Sequence, residues 1–469
     1  MNWILLSLLA YVVLQLAVVF LLARKPQTES DYLLAGRSLG PWLSVFTVFA
    51  TWFGAETCIG ATAEAYSGGL GAVAADPFGY AIGIVAMGLL FAAALRRRGL
   101  LTLADLFRNR WGSGIERLAA LVMIPSSLLW AAAQMRAFGQ VIASVSDLSL
   151  ITATGLAAFV VIVYTAVGGM WADAWTDLAQ GLVIIFGLLL LLAVFTLVGG
   201  FETLPESAAA AAARAPIRDR PLIEILAVPI FGTIAAQELS SRVLAMRDAK
   251  LARSATVAAG FVYLAVGLIP VVVGLGAAAT LGTGIEPEQV LSRYAQTQLP
   301  VALYVVFLGA LVSAILSTLS GALLVAGSLA AHNLIAPMAG ARLTERLKLR
   351  LNRVAVVVFG LVAFLISLGG ESMYSLVEQA SGLASAGVLV LMVVAIFAPG
   401  VGGIASAAMA LVASVAVYVL ASAQDWSMPY LASLAAAVLA YGVLAPFGPR
   451  VVGSTPPRQN LVDQPGRWG

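Results

Sequence analysis

The chain has 469 residues, of which 61% are hydrophobic and only 10% charged, with a mean hydropathy of +0.98. A soluble domain carries about a quarter charged residues, so this is the composition of a polytopic membrane protein, and the net charge of +3 concentrates in loops, where it speaks of orientation and not of nucleic acid. A single cysteine, Cys58, and a single histidine, His332, exclude an intrachain disulfide framework and a His/Cys metal cage, and both are expected to be packing residues.

At about 20 apolar residues per crossing, the pattern predicts thirteen membrane helices, near 3–22, 41–66, 70–95, 115–145, 149–169, 175–198, 222–243, 251–282, 300–335, 352–369, 373–398, 403–422 and 430–447. The first 20 residues lack a basic leading region and an A-x-A cleavage site, and read as a retained span. Arg24, Lys25 and Arg37 in loop 23–40, Arg96, Arg97, Arg98, Arg108 and Arg110 in loop 96–114, and Arg342, Arg346, Lys348 and Arg350 in loop 337–351 fall on one side. The opposite loops 67–69, 146–148 and 370–372 hold no Lys or Arg. The positive-inside rule therefore expects a cell-membrane protein with its N-terminus outside and its tail, with Arg450, Arg458 and Arg467, in the cytoplasm. Loop 199–221 dissents, carrying Arg214, Arg218 and Arg220 on the outer side; its AAAAAA run at 208–213 predicts a short surface helix.

A carboxylate at a helix centre costs roughly 2.5 to 3.5 kcal/mol on insertion scales, so such residues need a partner or a task. Glu56, Glu64, Asp76, Arg136, Asp177, Glu238 and Glu378 all fall in predicted spans, with Glu64 and Glu378 near helix ends. Asp76 lies in AADPFGY, where Pro77 frees a carbonyl and opens the helix beside a cavity. Two spans carry matching interruptions, ATWFGAET around Gly54 and VPIFGTIAAQE with Pro229 and Gly232. Matching breaks in two halves are the sequence pointer to inverted repeats, here 41–198 and 222–398 with five helices each.

The stretch GALVSAILSTLSGALL at 309–324 is rich in hydroxyls for so apolar a helix. Small hydroxyl residues serve helix packing, but Ala314, Ser317, Thr318 and Gly321 also share one helical face. A hard monovalent cation takes hydroxyl and carbonyl oxygens. Ser317 and Thr318, with carbonyls of the broken stretch near Ala50 and Phe53, would supply them.

These residues resemble the sodium:solute symporter family. YTAVGGMWADAWTDLAQ at 164–180 is similar to its YT-x-x-GG…TD-x-x-Q signature, and AILSTLSGALL at 314–324 to its A-x-x-ST…LL signature, over approximately 30 to 400. The resemblance implies an all-α, LeuT-like core of five plus five helices. Its division would be an extra N-terminal helix and cytoplasmic loop at 1–40, repeats at 41–198 and 222–398 about an outer loop at 199–221, two C-terminal helices at 399–447 and a cytoplasmic tail at 448–469. It implies a main sodium site from the carbonyls of Ala50, Phe53 and Ala314 and the hydroxyls of Ser317 and Thr318. Asp177 would line the exit route, and with Ser317 and Ser320 would hold a second sodium in some relatives, although Gly321 stands where those carry another hydroxyl.

Within the family, TAEAYSGGLGAVAADPFGYA at 62–81 and IPSSLLWAAAQMRAFGQVI at 124–142 resemble the high-affinity choline transporters, in which aromatic rings hold a quaternary ammonium. Trp52 and Trp130 match two of those rings, whereas Ala235 and Ala236 stand where such a transporter has an aromatic residue before its glutamine. The candidate substrate residues are Trp52, Glu56, Thr57, Asp76, Trp130, Gln134, Arg136 and Gln237. Asp76 and Arg136 either pair with each other or meet the amine and carboxylate of a zwitterion, and Trp130 is either a ligand or packing.

The expected function is sodium-coupled import of a small polar solute, a choline-like cation or an amine-bearing zwitterion, by alternating access. The alternatives are a sodium/sugar or sodium/amino-acid symporter, or a symporter-like sensor; the stretch after about 448 is too short for a kinase domain. No GxSxG element, metal-ligand cluster or nucleotide loop points to an enzyme. Sodium is the only expected ion, solute and membrane lipid the expected partners, with no nucleic acid and no obligate protein partner.

Overall fold

The computed structural model describes residues 3–22, 26–214, 220–339, 343–369 and 373–447. Arg24, Lys25, Arg218, Arg342, the loop 370–372 and the expected tail 448–469, with Arg450, Arg458 and Arg467, lie outside them. The described residues are helical apart from connecting turns and one isolated bridge between Leu39 and Met246. In chain order the long elements are α1 (Trp3–Leu22), α2 (Pro41–Trp52), α3 (Glu56–Gly68), α4 (Ala74–Arg97), α5 (Ser113–Ser144), α6 (Leu150–Leu197) and α7 (Leu222–Ala235). There follow α8 (Gln237–Ala245), α9 (Ala249–Leu281), α10 (Val301–Met338), α11 (Glu345–Ser367), α12 (Ser375–Phe397), α13 (Ile404–Ala423) and α14 (Pro429–Phe447). A helix Gly200–Arg214 occupies the Ala-rich loop, where a short helix was expected.

Among the described residues, nine helices are long and apolar enough to cross a membrane, or eleven when each bent pair is one span. The expected thirteen exceeds that count for two reasons. α1 is a 20-residue helix of which only Trp3–Gln15 enters that count, and α6 is counted once although it holds both of the spans expected at 149–169 and 175–198, divided at Gly169. The helical geometry of α6 breaks at Gly169 (φ 59, ψ −171). Glycine is needed there on two grounds: the positive φ, and a Cβ that would fall 2.8 Å from the Tyr32 carbonyl oxygen. The Tyr32 hydroxyl donates to the carbonyls of Thr165 and Ala166 at 3.2 and 3.3 Å, partners for groups beside the interruption.

The two broken spans are bent by 59° between α2 and α3 and by 41° between α7 and α8. The first opens where the sequence places it, at Phe53 (φ −84, ψ 75). The second opens later than expected, at the extended Ala236 (φ −67, ψ 131), because α7 stays helical through Pro229 and Gly232. Gly232 serves close packing: a Cβ there would lie 3.1 Å from the Ser381 carbonyl oxygen. α10 runs through the middle of the bundle, with every residue from Phe307 to Ser328 buried, whereas α11 and α14 present Val354, Leu361, Val438 and Leu439 outward, as lipid-facing helices do.

His332 does more than pack. Its Nδ1 lies 3.2 Å from Glu29 and its Nε2 3.2 Å from Asp105, so one imidazole ties the short helix Glu29–Leu34 and the helix Leu103–Trp111 to the end of α10. Cys58 is a free, buried thiol.

Candidate functional site

In a continuous helix the Ala50 carbonyl would accept from the Gly54 N–H. Here that N–H turns back to the Trp52 carbonyl at 3.0 Å, and the next one, of Ala55, goes to Gln134 Oε1 at 3.0 Å. Two hydroxyls of α10 converge on the Ala50 oxygen left at the break: Ser317 Oγ donates at 2.8 Å and Thr318 Oγ1 at 3.3 Å. The same hydroxyls lie 3.0 and 3.2 Å from the Ala314 carbonyl oxygen. Bonds to Ala314 are ordinary back-bonding within a helix; bonds across to α2 exist because α2 ends. Four oxygens, two carbonyl and two hydroxyl, thus gather in a buried place without a formal charge. Phe53 sits at the bend, and a Cβ on the adjacent Gly54 would fall 2.8 Å from Thr318 Oγ1. No group of three or more His, Cys, Asp or Glu that could hold a metal occurs among the described residues, so a divalent cation has no charged cage here.

Next to this cluster lies a buried ionic one that sequence reasoning reached only in part. Arg242 of α8 is 1% exposed. Its Nη2 is 2.5 Å from Asp173 and 3.7 Å from Asp177, and its Nε donates to Thr51 Oγ1 at 2.8 Å. Asp177 Oδ2 accepts from Thr47 at 2.5 Å, while its Oδ1 is buried without a hydrogen-bond partner among the described residues. Ser320 donates at 2.5 Å to Asp173, not to Asp177, and Tyr164 joins both Asp173 and Ser320 at 3.0 and 3.1 Å. Asp177, Ser317 and Ser320 therefore share a neighbourhood, but each has its own partner. Asp173 had one available signal, its i, i+4 spacing from Asp177 on one face of α6.

The aromatic pair is also brought together. Trp52 and Trp130 meet edge to face with ring centroids 5.0 Å apart, and the Trp52 indole N–H donates to Thr233 at 3.0 Å. Glu56 accepts from Trp130 Nε1 at 3.2 Å and from Gln134 Nε2 at 2.5 Å. Thr57 donates to Asp76 at 3.0 Å, and the unforeseen Tyr263 of α9 donates to the other Asp76 oxygen at 2.9 Å. Two candidates have partners of their own. Arg136 donates to the Ser367 carbonyl of α11 at 3.2 Å and makes no ion pair with Asp76 among the described residues. Gln237 Oε1 is occupied by the Leu103 N–H at 2.6 Å, so that side chain closes the N-terminus of helix Leu103–Trp111.

One small space touches the aromatic pair, and a larger cavity lies on the side of Glu56 and Asp76. Beneath the rings a space of about 30 Å³ touches Trp52, Trp130, Thr233, Gln237 and Glu238; it holds no more than a water. A separate cavity of about 420 Å³, lined by neither Trp52 nor Trp130, has Glu56, Glu64, Asp76, Glu224 and Glu378 on its walls and, among the described residues, Arg220 as its one basic residue. Arg220 pairs with Glu378. Glu224 accepts from the N–H groups of Tyr430 and Leu431 at 2.6 and 3.0 Å, capping α14.

The profile of the sodium:solute symporter family matches residues 32–411. The chain is 28% identical over 368 residues to high-affinity choline transporter 1 of Caenorhabditis elegans, covering 74% of this chain and 63% of that one. It is 29% identical over 400 residues to the protein of the same name from Drosophila melanogaster, covering 80% and 64%. It thus spans just under two thirds of the length of these relatives. The sodium/proline symporter of Haemophilus influenzae is 27% identical over 366 residues, 72% of each chain. Among solved structures, a Na+-coupled sialic acid symporter in its substrate-bound outward-open state superposes with a TM-score of 0.82 at 17% identity, covering 96% of this chain and 98% of that one. A nucleobase-cation-symport family transporter in a closed conformation gives 0.64 at 15%, covering 91% and 97%. At such identities the likeness is one of fold.

Proposed function

Because the chain belongs to the sodium:solute symporter family, we propose that it is a secondary active transporter that carries sodium and a small organic cation into the cell together. The observation that carries the sodium half is the convergence of Ser317 and Thr318 on the Ala50 carbonyl at the break between α2 and α3. Sodium would enter among the oxygens of Ala50, Ala314, Ser317 and Thr318, with Phe53 at the bend beside them. The two hydroxyls then turn their protons away and offer lone pairs. A second ion at Asp177 is consistent with its unpartnered Oδ1, with Ser320 held in reserve by Asp173.

For the solute, an acidic cavity whose Glu56 also holds Trp130 favours a positive nitrogen. Burying a cation without partners costs several kcal/mol, whereas rings and carboxylates replace its water. Glu56 links the two parts, lining the cavity while holding Trp130 and Gln134. Trp52 and Trp130 touch each other and do not line the acidic cavity, so the solute binds against the Glu56–Asp76 wall, or parts the rings to reach them. Arg136 is turned away to Ser367, which favours a plain organic cation over a zwitterion. The named relatives include both choline and proline carriers, so a panel of choline, betaine, proline and a sugar, scored by thermal stabilisation in sodium, tests this reading. Stabilisation by the sugar alone contradicts it.

Coupling is energetically sufficient. A potential of about 100 mV contributes roughly 2.3 kcal/mol per charge, and a tenfold sodium gradient adds roughly 1.4. The membrane orientation that suits import has the N-terminus outside and the Arg-rich loops in the cytoplasm, following the loop charges.

A further inference from the structure

Away from the transport path, α4 and α9 frame a lateral groove of about 630 Å³. Its walls are apolar and open to the outside: Leu89 is 48% and Phe261 62% exposed, with Val257 between them. The groove ends, at the Arg-rich loop, against Arg97 of α4 and Lys250 and Arg253 of α9. We propose that it binds the phosphate headgroup of an anionic phospholipid, whose acyl chains lie along Leu89, Val257 and Phe261.

The neighbouring cations show why these three are different. Arg96 is spent on the Met246 and Arg247 carbonyls, Arg98 on the Ala94 carbonyl and Arg37 on the Gly99 carbonyl. Arg247 pairs with Asp248, the N-cap that accepts from Leu251. Among the described residues, Arg97, Lys250 and Arg253 have neither an ion pair nor a side-chain hydrogen bond, and no acidic residue lines the groove. The positive end of the α9 dipole points the same way. Three unbalanced charges at the mouth of an exposed apolar channel complement a molecule that is anionic at one end and hydrocarbon at the other. A free phosphate leaves the apolar walls unused.

The test is thermal melting of the full chain in neutral detergent with added phosphatidylglycerol, phosphatidylcholine of the same acyl chains, or inorganic phosphate. Phosphatidylglycerol is expected to raise the melting temperature, and the other two are not. Replacing Arg97→Gln, Lys250→Gln and Arg253→Gln together should raise the phosphatidylglycerol concentration for half-maximal effect about a hundredfold, at about fivefold per cation. The control Arg346→Gln with Arg350→Gln, two exposed cations elsewhere, should leave it unchanged. Should the triple variant melt lower without lipid, Lys250→Gln alone carries the test through its fivefold loss. Stabilisation that survives loss of the three cations, or that phosphatidylcholine or inorganic phosphate matches, overturns the proposal.

Discussion

Arg242 and Asp173, from the two different interrupted spans α8 and α6, meet at 2.5 Å with both side chains buried. Asp177 stands 3.7 Å from the same guanidinium, so one cation serves two carboxylates. Removing it strands both. Arg242→Gln is expected to destabilise the protein by about 3 to 5 kcal/mol, the usual result of breaking a buried pair from one side. Adding Asp173→Asn should restore much of that loss. Melting curves of the single and double variants check this, and a double variant no more stable than Arg242→Gln would show the pair to be uncoupled.

Asp177 has a buried oxygen with no hydrogen-bond partner among the described residues, a costly arrangement unless a cation visits it. Asp177→Asn is therefore expected to slow sodium-driven uptake through slower release of sodium inside, with a smaller change in the sodium concentration needed outside. Pre-steady-state uptake against equilibrium sodium binding separates the two effects. Parent kinetics in the Asn variant would reduce Asp177 to an anchor for Thr47.

The cation reading divides three residues. Trp130→Ala and Glu56→Gln should each weaken binding of a quaternary ammonium by about tenfold, given cation–π and charge contributions on the order of 1 to 2 kcal/mol. Arg136→Gln should leave it within about twofold, because Arg136 contacts the Ser367 carbonyl and a change far from the ligand adds little. Calorimetric titration with choline in sodium measures all three. A loss confined to Arg136→Gln would restore the zwitterion.

What the sequence disclosed, and what it hid, follows from the range of the interactions. The Ser317/Thr318 pair was legible because adjacent hydroxyls on an apolar helix and a Gly-bearing break are local patterns. The partner of Asp173 was not, since Arg242 arrives from the far half of the fold. The partners of Arg136 and Gln237 were hidden too, because a polar side chain within a span looks alike whether it faces a cavity, a carbonyl at Ser367 or the N–H of Leu103. The second break was misplaced for a similar reason: Pro229 and Gly232 read as breakers, yet helix α7 carries both and opens at Ala236.

Gly169 offers a check on the fold itself. Gly169→Ala combines a positive φ with a Cβ 2.8 Å from the Tyr32 carbonyl oxygen, and should cost on the order of 1 to 3 kcal/mol. Its melting temperature should fall below that of the parent. An unchanged value would mean that α6 is continuous through this point.

The most direct trial of the central claim is tracer uptake of an organic cation into proteoliposomes with an inward sodium gradient, compared with equal potassium and proton gradients at the same potential. Concentrative uptake is expected only with sodium, and Ser317→Ala or Thr318→Ala should raise the half-maximal sodium concentration about tenfold, the loss of one cation-ligating hydroxyl at roughly 1.4 kcal/mol. Equal uptake on a potassium or proton gradient, or a parent sodium dependence in both variants, would contradict the assignment of the oxygen cluster at Ala50, Ser317 and Thr318 as the coupling site.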